Sequence, residues 1–89
     1  MDISINSQNI QVLKVIYEIA TEKENKKKGG FVMACDIQEK TQISYSDLDP
    51  ILQYLVNSCL ITGTVAGTMA GTTVRITLLG EKEIEFLLA

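Results

Sequence analysis

The chain contains no histidine and no tryptophan, a single proline and two cysteines. Without histidine, and with Cys35 and Cys59 too far apart to form a CxxC pair, the usual Cys/His sets for zinc are missing, so no metal is expected. The same gap removes the commonest general acid–base side chain. No paired carboxylates or phosphate-cradling loop replace it, so neither an enzyme nor a cofactor is expected. The glycine-rich run GTVAGTMAGT over 63–72 does not end in Gly-Lys-Ser/Thr ahead of a helix, which excludes a nucleotide loop. No apolar run approaches the ~20 residues of a membrane span, and no leader-like segment opens the chain. A reduced, cytoplasmic protein without a membrane partner is the resulting expectation, with both cysteines read as small buried apolar residues. The largest gap is electrostatic: between Lys40 and Arg75 there is no lysine or arginine at all.

What is present suffices for one small domain over residues 1–89. A chain of this length buries only about 60–65% of its unfolded surface, so its stability margin is thin. Hydrophobic residues make up 46% and aromatics 6%, which leaves the core to isoleucine, leucine and valine. A formal charge of −3 gives little long-range attraction toward phosphate.

Periodicity orders the chain. A first helix begins near Asn6 or Ser7, either a suitable cap, and carries Ile10, Leu13, Tyr17 and Ala20 beside Val12, Ile16 and Ile19. That apolar surface is wider than the ~100° stripe a small domain needs, which suggests a partner surface, most simply a second copy. The helix is expected to fray through EKENKKK and stop at Gly29-Gly30. Lys26, Lys27 and Lys28 are the one concentrated positive run; they read either as a solvated helix end or as a phosphate-contacting arm. After an extended Phe31-Val32, a second helix covers about Met33 to Lys40, with Ile37 and either Ala34 or Cys35 inward. Thr41 to Ile43 form a turn. Ser44 caps a third helix with Asp47 as the capping-box acid, Ser46 being the competing cap. Either register accommodates Pro50 at the loss of about one backbone hydrogen bond.

In the third helix Leu48, Ile51, Leu52, Leu55, Val56 and Cys59 form the inward set. Tyr45, Ser46, Asp49, Pro50, Gln53, Tyr54 and Asn57 lie opposite. The 63–72 run reads as a hairpin with Gly67 and Gly71 at the turn. In the returning strand TTVRIT, Val74 and Ile76 face inward and Thr73, Arg75 and Thr77 outward. Thr77 caps a last helix to about Leu88, where Leu79, Ile84, Phe86, Leu87 and Leu88 again exceed one buried stripe. The expected fold is mainly α with a small β-hairpin (α+β), ordered helix, strand, helix, helix, strand, strand, helix.

That order resembles the winged helix-turn-helix superfamily over nearly the whole chain. Three blocks carry the resemblance: DIQEKTQIS, LQYLVNSCLI and ITLLGEKEIEFL, similar to the family's "dIaekTgis", "lkyLvekGLI" and "LTxxGxxxlexL". The KTQISY run is similar, at lower specificity, to a small archaeal winged-helix family that dimerises through its terminal helices. The resemblance implies a DNA-binding transcriptional regulator, with the third helix in the major groove and the wing on the backbone or minor groove. By position, Tyr45, Ser46, Asp49 and Gln53 would face bases, and Thr41 and Ser44 would reach phosphates. Lys26, Lys27, Lys28, Lys40 and Arg75 would supply further phosphate contacts. The implied partners are double-stranded DNA and a second copy, through the N- and C-terminal helices; the competing reading is a protein-interaction module that binds no DNA. Two departures stand out: Gln42 and Cys59 occupy positions where the family has glycine. The third helix also lacks the arginine or lysine that commonly reads guanine, and it carries Asp47 and Asp49.

Overall fold

In the computed structural model, residues 7–22, 29–64 and 71–88 are described. Asn6, the stretch 23–28 with Lys26, Lys27 and Lys28, and the hairpin tip with Gly67 lie outside them. The described residues form α1 (Ser7–Ala20), β1 (Val32–Met33), α2 (Ala34–Thr41), α3 (Tyr45–Asn57), β2 (Ile61–Thr64), β3 (Thr73–Ile76) and α4 (Leu78–Leu88). The architecture is mainly helical with a small three-stranded antiparallel sheet in the order β1-β3-β2. Val32 faces Val74 across one ladder, and Ile61 faces Ile76 and Gly63 faces Val74 across the other.

α1 is the hub: it packs on α2, α3, α4, β1 and β3. This explains its broad apolar surface. Val12, Leu13, Ile16, Ile19 and Ala20 are buried, and Ile10, Val15 and Tyr17 pack against the same core. Most of the apolar surface of the first helix is therefore used within the chain, with Ile10, Val15 and Tyr17 half-buried. The helix also stops earlier than expected, at Ala20, where the Thr21 hydroxyl donates to the Tyr17 carbonyl at 2.8 Å. Gly29 and Gly30, both at positive φ, then lead into β1.

α2 has no side-chain cap at Met33. Instead the Ala34 N–H donates to the Thr72 carbonyl at 2.9 Å, so the residue just before β3 satisfies one of the helix's orphan donors. Ala34 and Ile37 point inward, whereas Cys35 is only half-buried. At the other end the carbonyls of Ile37, Gln38 and Glu39 accept from the Thr41 hydroxyl (2.7 Å), the Gln42 N–H (2.8 Å) and the Gln42 side-chain amide (2.6 Å).

α3 is capped by Ser44, whose Oγ accepts from the Asp47 N–H at 3.3 Å. Ser46 is thus inside the helix, and Pro50 sits in its second turn, beyond the donors that are free at any helix start. Leu48, Ile51, Leu52 and Leu55 are buried as expected, but Val56 and Cys59 are exposed. Val56 lies at the edge of the stripe and Cys59 beyond the helix. The Cys59 and Leu60 N–H groups donate back to Val56 and Leu55, both at 3.0 Å, which is a Schellman closure with Cys59 in the left-handed position at φ 61°. That geometry turns the Cys59 side chain outward, and it corrects the reading of both cysteines as buried.

A tight corner joins α3 to α4. The Thr77 N–H donates to the Leu60 carbonyl at 3.0 Å, and the Thr77 hydroxyl lies 2.7 Å from the Cys59 carbonyl oxygen and 3.0 Å from that of Leu60. The same hydroxyl accepts from the Gly80 N–H at 3.0 Å, capping α4. A Cβ at Gly80 would collide with the Leu60 carbonyl oxygen and lie 2.8 Å from Ile76 Cγ1. Of the described apolar α4 side chains only Ile84 is fully buried; Leu78 (68%) and Phe86 (77%) are the most exposed, with Leu79 and Leu87 less so. No helix among the described residues is long and apolar enough to cross a membrane.

Candidate functional site

The α2–α3 turn fixes the first group of site residues. Gln42 takes the left-handed conformation (φ 60°), which reverses the chain after α2 and delivers Ser44 as the cap of α3. Thr41 is consumed by this turn. Its one hydroxyl proton goes to Ile37, and its oxygen accepts from the Ile43 N–H at 3.3 Å, so it has no donor left for a phosphate. Ser44 differs: its oxygen accepts from the backbone, and its own proton stays free at an exposed position.

Along α3 the outward residues are Ser46, Asp49, Pro50, Gln53 and Asn57, all exposed. Tyr45 and Tyr54 are half-buried and pack on the core, so their rings brace the helix and leave only part of each side chain for contact. Among the described residues Asp47 and Asp49 form no ion pair with a lysine or arginine, and the one ion pair there, Lys14–Glu18 at 4.0 Å, lies on α1. The outer face of α3 is therefore polar and anionic.

The hairpin brings a second group together. Arg75 lies opposite Thr62 on the outer face of the sheet, and its guanidinium stacks 5.0 Å from the centroid of the Phe31 ring. Phe31 is 53% exposed, so this cation–π pair faces solvent and holds Arg75 near the base of the hairpin. Lys40 is elsewhere. It lines a surface hollow with Glu22, Asp36, Glu39 and Ile19, where the surrounding carboxylates oppose an approaching phosphate. Lys40 and Arg75 thus belong to separate surfaces.

Between α3 and the sheet lies a half-open cavity of about 140 Å³, lined by Asp49, Leu52, Gln53, Val56, Gly63, Thr72 and Val74. Gly63 shares the inward register of Val74, and its missing side chain leaves room against α3. Thr72 is 5% exposed, and its Oγ1 is buried with no hydrogen-bond partner among the described residues. An unmet hydroxyl of this kind costs about 1–3 kcal/mol. Sequence reasoning passed over Thr72, although the alternation that puts Val74 and Ile76 inward puts Thr72 there too when extended back by two residues. It also passed over Phe31, whose pairing with Arg75 depends on strand register. Among the described residues no group of three or more Cys, Asp or Glu could hold a metal ion.

No protein-family profile, curated protein or solved structure matches the chain.

Proposed function

We propose that the chain is a winged helix-turn-helix protein that binds double-stranded DNA as a homodimer and regulates transcription. The observation that carries this reading is that Asp49 and Gln53 on α3 and Gly63 and Thr72 of the hairpin arm line one hollow. The outer face of α3 and the hairpin thus flank a single surface, as a helix in the major groove with a neighbouring wing requires. Gln53 is the side chain suited to adenine, and Ser46 to several base edges. Ser44 donates its free proton to a phosphate, and Arg75 and the Lys26–Lys28 run supply positive charge; Lys40, set among carboxylates, adds little. The exposed Leu79, Phe86 and Leu87 of α4 support the second copy, which doubles each contact.

Fluorescence anisotropy with mixed-sequence duplex tests the reading: binding should weaken steeply between about 50 and 200 mM salt. Arg75→Ala should weaken all duplexes alike, whereas Gln53→Ala should relax preference at one base position. No binding at the lower salt, with protein in the tens of micromolar, would sink DNA recognition by this surface.

A protein-interaction module is the second reading. Its support is the pairing of an anionic α3 face with apolar side chains left exposed on α4. A duplex-independent, salt-insensitive complex with a protein would favour it.

A further inference from the structure

We propose that Phe31 is a positioning residue for phosphate recognition: its ring holds the Arg75 guanidinium ready for a backbone phosphate of the duplex. The role rests on the duplex reading and adds to it a residue that lies outside both α3 and the hairpin.

Strand register brings the two side chains together. Val32 faces Val74 across the β1–β3 ladder, and both are buried. One step further along this antiparallel pairing, Phe31 comes opposite Arg75, and alternation turns both to the solvent side of the sheet. The ring also has a neighbour in Gly29. A Cβ added there would lie 3.3 Å from the ring atom Cε2, so the ring occupies space that a side chain at 29 would need. Phe31 is 53% exposed and stands outside the buried core, so core packing does not account for an aromatic at this position.

Arg75 is equally available. Among the described residues it joins no ion pair, the one such pair lying on α1. A ring, unlike a carboxylate, cancels no charge, so the guanidinium keeps its positive charge and its N–H donors for an incoming anion. Phe31, Arg75, Thr62 and Thr73 line an open hollow of about 100 Å³ that has no carboxylate in its wall, in contrast to the hollow around Lys40. A free arginine side chain loses rotamer freedom when it grips a phosphate. One already held over a ring loses less, and the difference appears as affinity.

Fluorescence anisotropy with the full chain and mixed-sequence duplex at about 50 mM salt tests the role, with Arg75→Ala as the reference for a lost contact. Phe31→Leu should weaken binding about two- to fivefold, and Phe31→Tyr, which keeps the ring, should retain the parental affinity. The double change Phe31→Leu with Arg75→Ala should bind no more weakly than Arg75→Ala alone, because the ring acts through the guanidinium. Arg75→Ala should lower the slope of log affinity against log salt by about 1. Phe31→Leu keeps the charge and should leave that slope unchanged. Without DNA, the Arg75 Hδ and Hε resonances should lie upfield in the parent and in Phe31→Tyr, and move downfield in Phe31→Leu. Parental affinity in Phe31→Leu beside a weakened Arg75→Ala would overturn the positioning role and leave duplex recognition standing. Additive losses in the double change would overturn it too, since Phe31 would then act apart from Arg75. A parent chain that binds no duplex, with the Arg75 resonances still upfield, would remove duplex recognition and this role with it.

Discussion

Gln42 and Cys59 both hold positive φ, at 60° and 61°, yet replacing each with glycine should have different results. A non-glycine residue in the left-handed region carries a steric cost that glycine avoids, typically about 1 kcal/mol. Cys59 is exposed, and the bonds at that corner use its backbone, so Cys59→Gly should stabilise the chain by about 0.5–1 kcal/mol in urea denaturation. Gln42 has a compensation: its side-chain amide donates to the Glu39 carbonyl at 2.6 Å and closes the end of α2. Glycine would lose that bond, itself about 1 kcal/mol, so Gln42→Gly should be close to neutral. Gly80 is the opposite case. Its need for glycine comes from the Leu60 carbonyl packed against it, with no left-handed φ involved. Gly80→Ala should cost about 2–3 kcal/mol and lower Tm by about 10 °C or more, seen by thermal melting. An unchanged Tm would mean that the α3–α4 corner yields easily.

The elements differ in how much of their stability is local. α3 has a good cap in Ser44, a Schellman end at Cys59 and a continuous buried stripe, but it carries Pro50 in its second turn. The missing N–H leaves the Ser46 carbonyl without its helical donor, and the ring crowds that carbonyl. Pro50→Ala should therefore stabilise the chain by about 1–2 kcal/mol, the helix gain being partly offset by a freer unfolded chain. A fall in stability instead would show that the bend at Pro50 is needed for packing against α1. α2, by contrast, begins on a hydrogen bond to the Thr72 carbonyl ahead of β3 and ends on the side-chain amide of its own cap, Gln42, so its start is held from outside the helix. α4 owes its start to Thr77 and its anchoring to Ile84, with most of its other apolar side chains left facing solvent.

At the scale of the whole molecule, the distribution of apolar surface decides what can pair. The core-facing side of α1 is buried by the rest of the chain, while Leu79 and Phe86, two turns apart on α4, are left on one outward side. A second copy should meet this side of α4. The double change Leu79→Glu and Phe86→Glu should convert a dimer to a monomer in sedimentation velocity with helix content unchanged. Monomeric behaviour of the parent chain at tens of micromolar would remove the homodimer. Charge is distributed just as unevenly. Lys40 sits among carboxylates and Arg75 on the far side of the sheet, so no described face gathers cations. Any binding to DNA must draw on few contacts per copy, which makes its salt dependence a direct count of them.

Local rules determined the order of the elements, the Ser44 and Thr77 caps, the strained Gln42 and Cys59 positions and most of the buried stripe of α3. Each of these depends on side chains a few residues apart, so the sequence alone specifies it. The absence of lysine and arginine between Lys40 and Arg75 was equally plain. Only the tertiary structure decided that most of the surplus of α1 is internal and that of α4 external, because burial depends on which faces the other helices reach. It also decided that the Thr41 hydroxyl is spent within the turn, that Arg75 stacks on Phe31, and that Gly63 and Thr72 open a cavity beside Gln53. Those are relations between residues far apart in the chain, set by strand register and helix packing, and no local pattern encodes them.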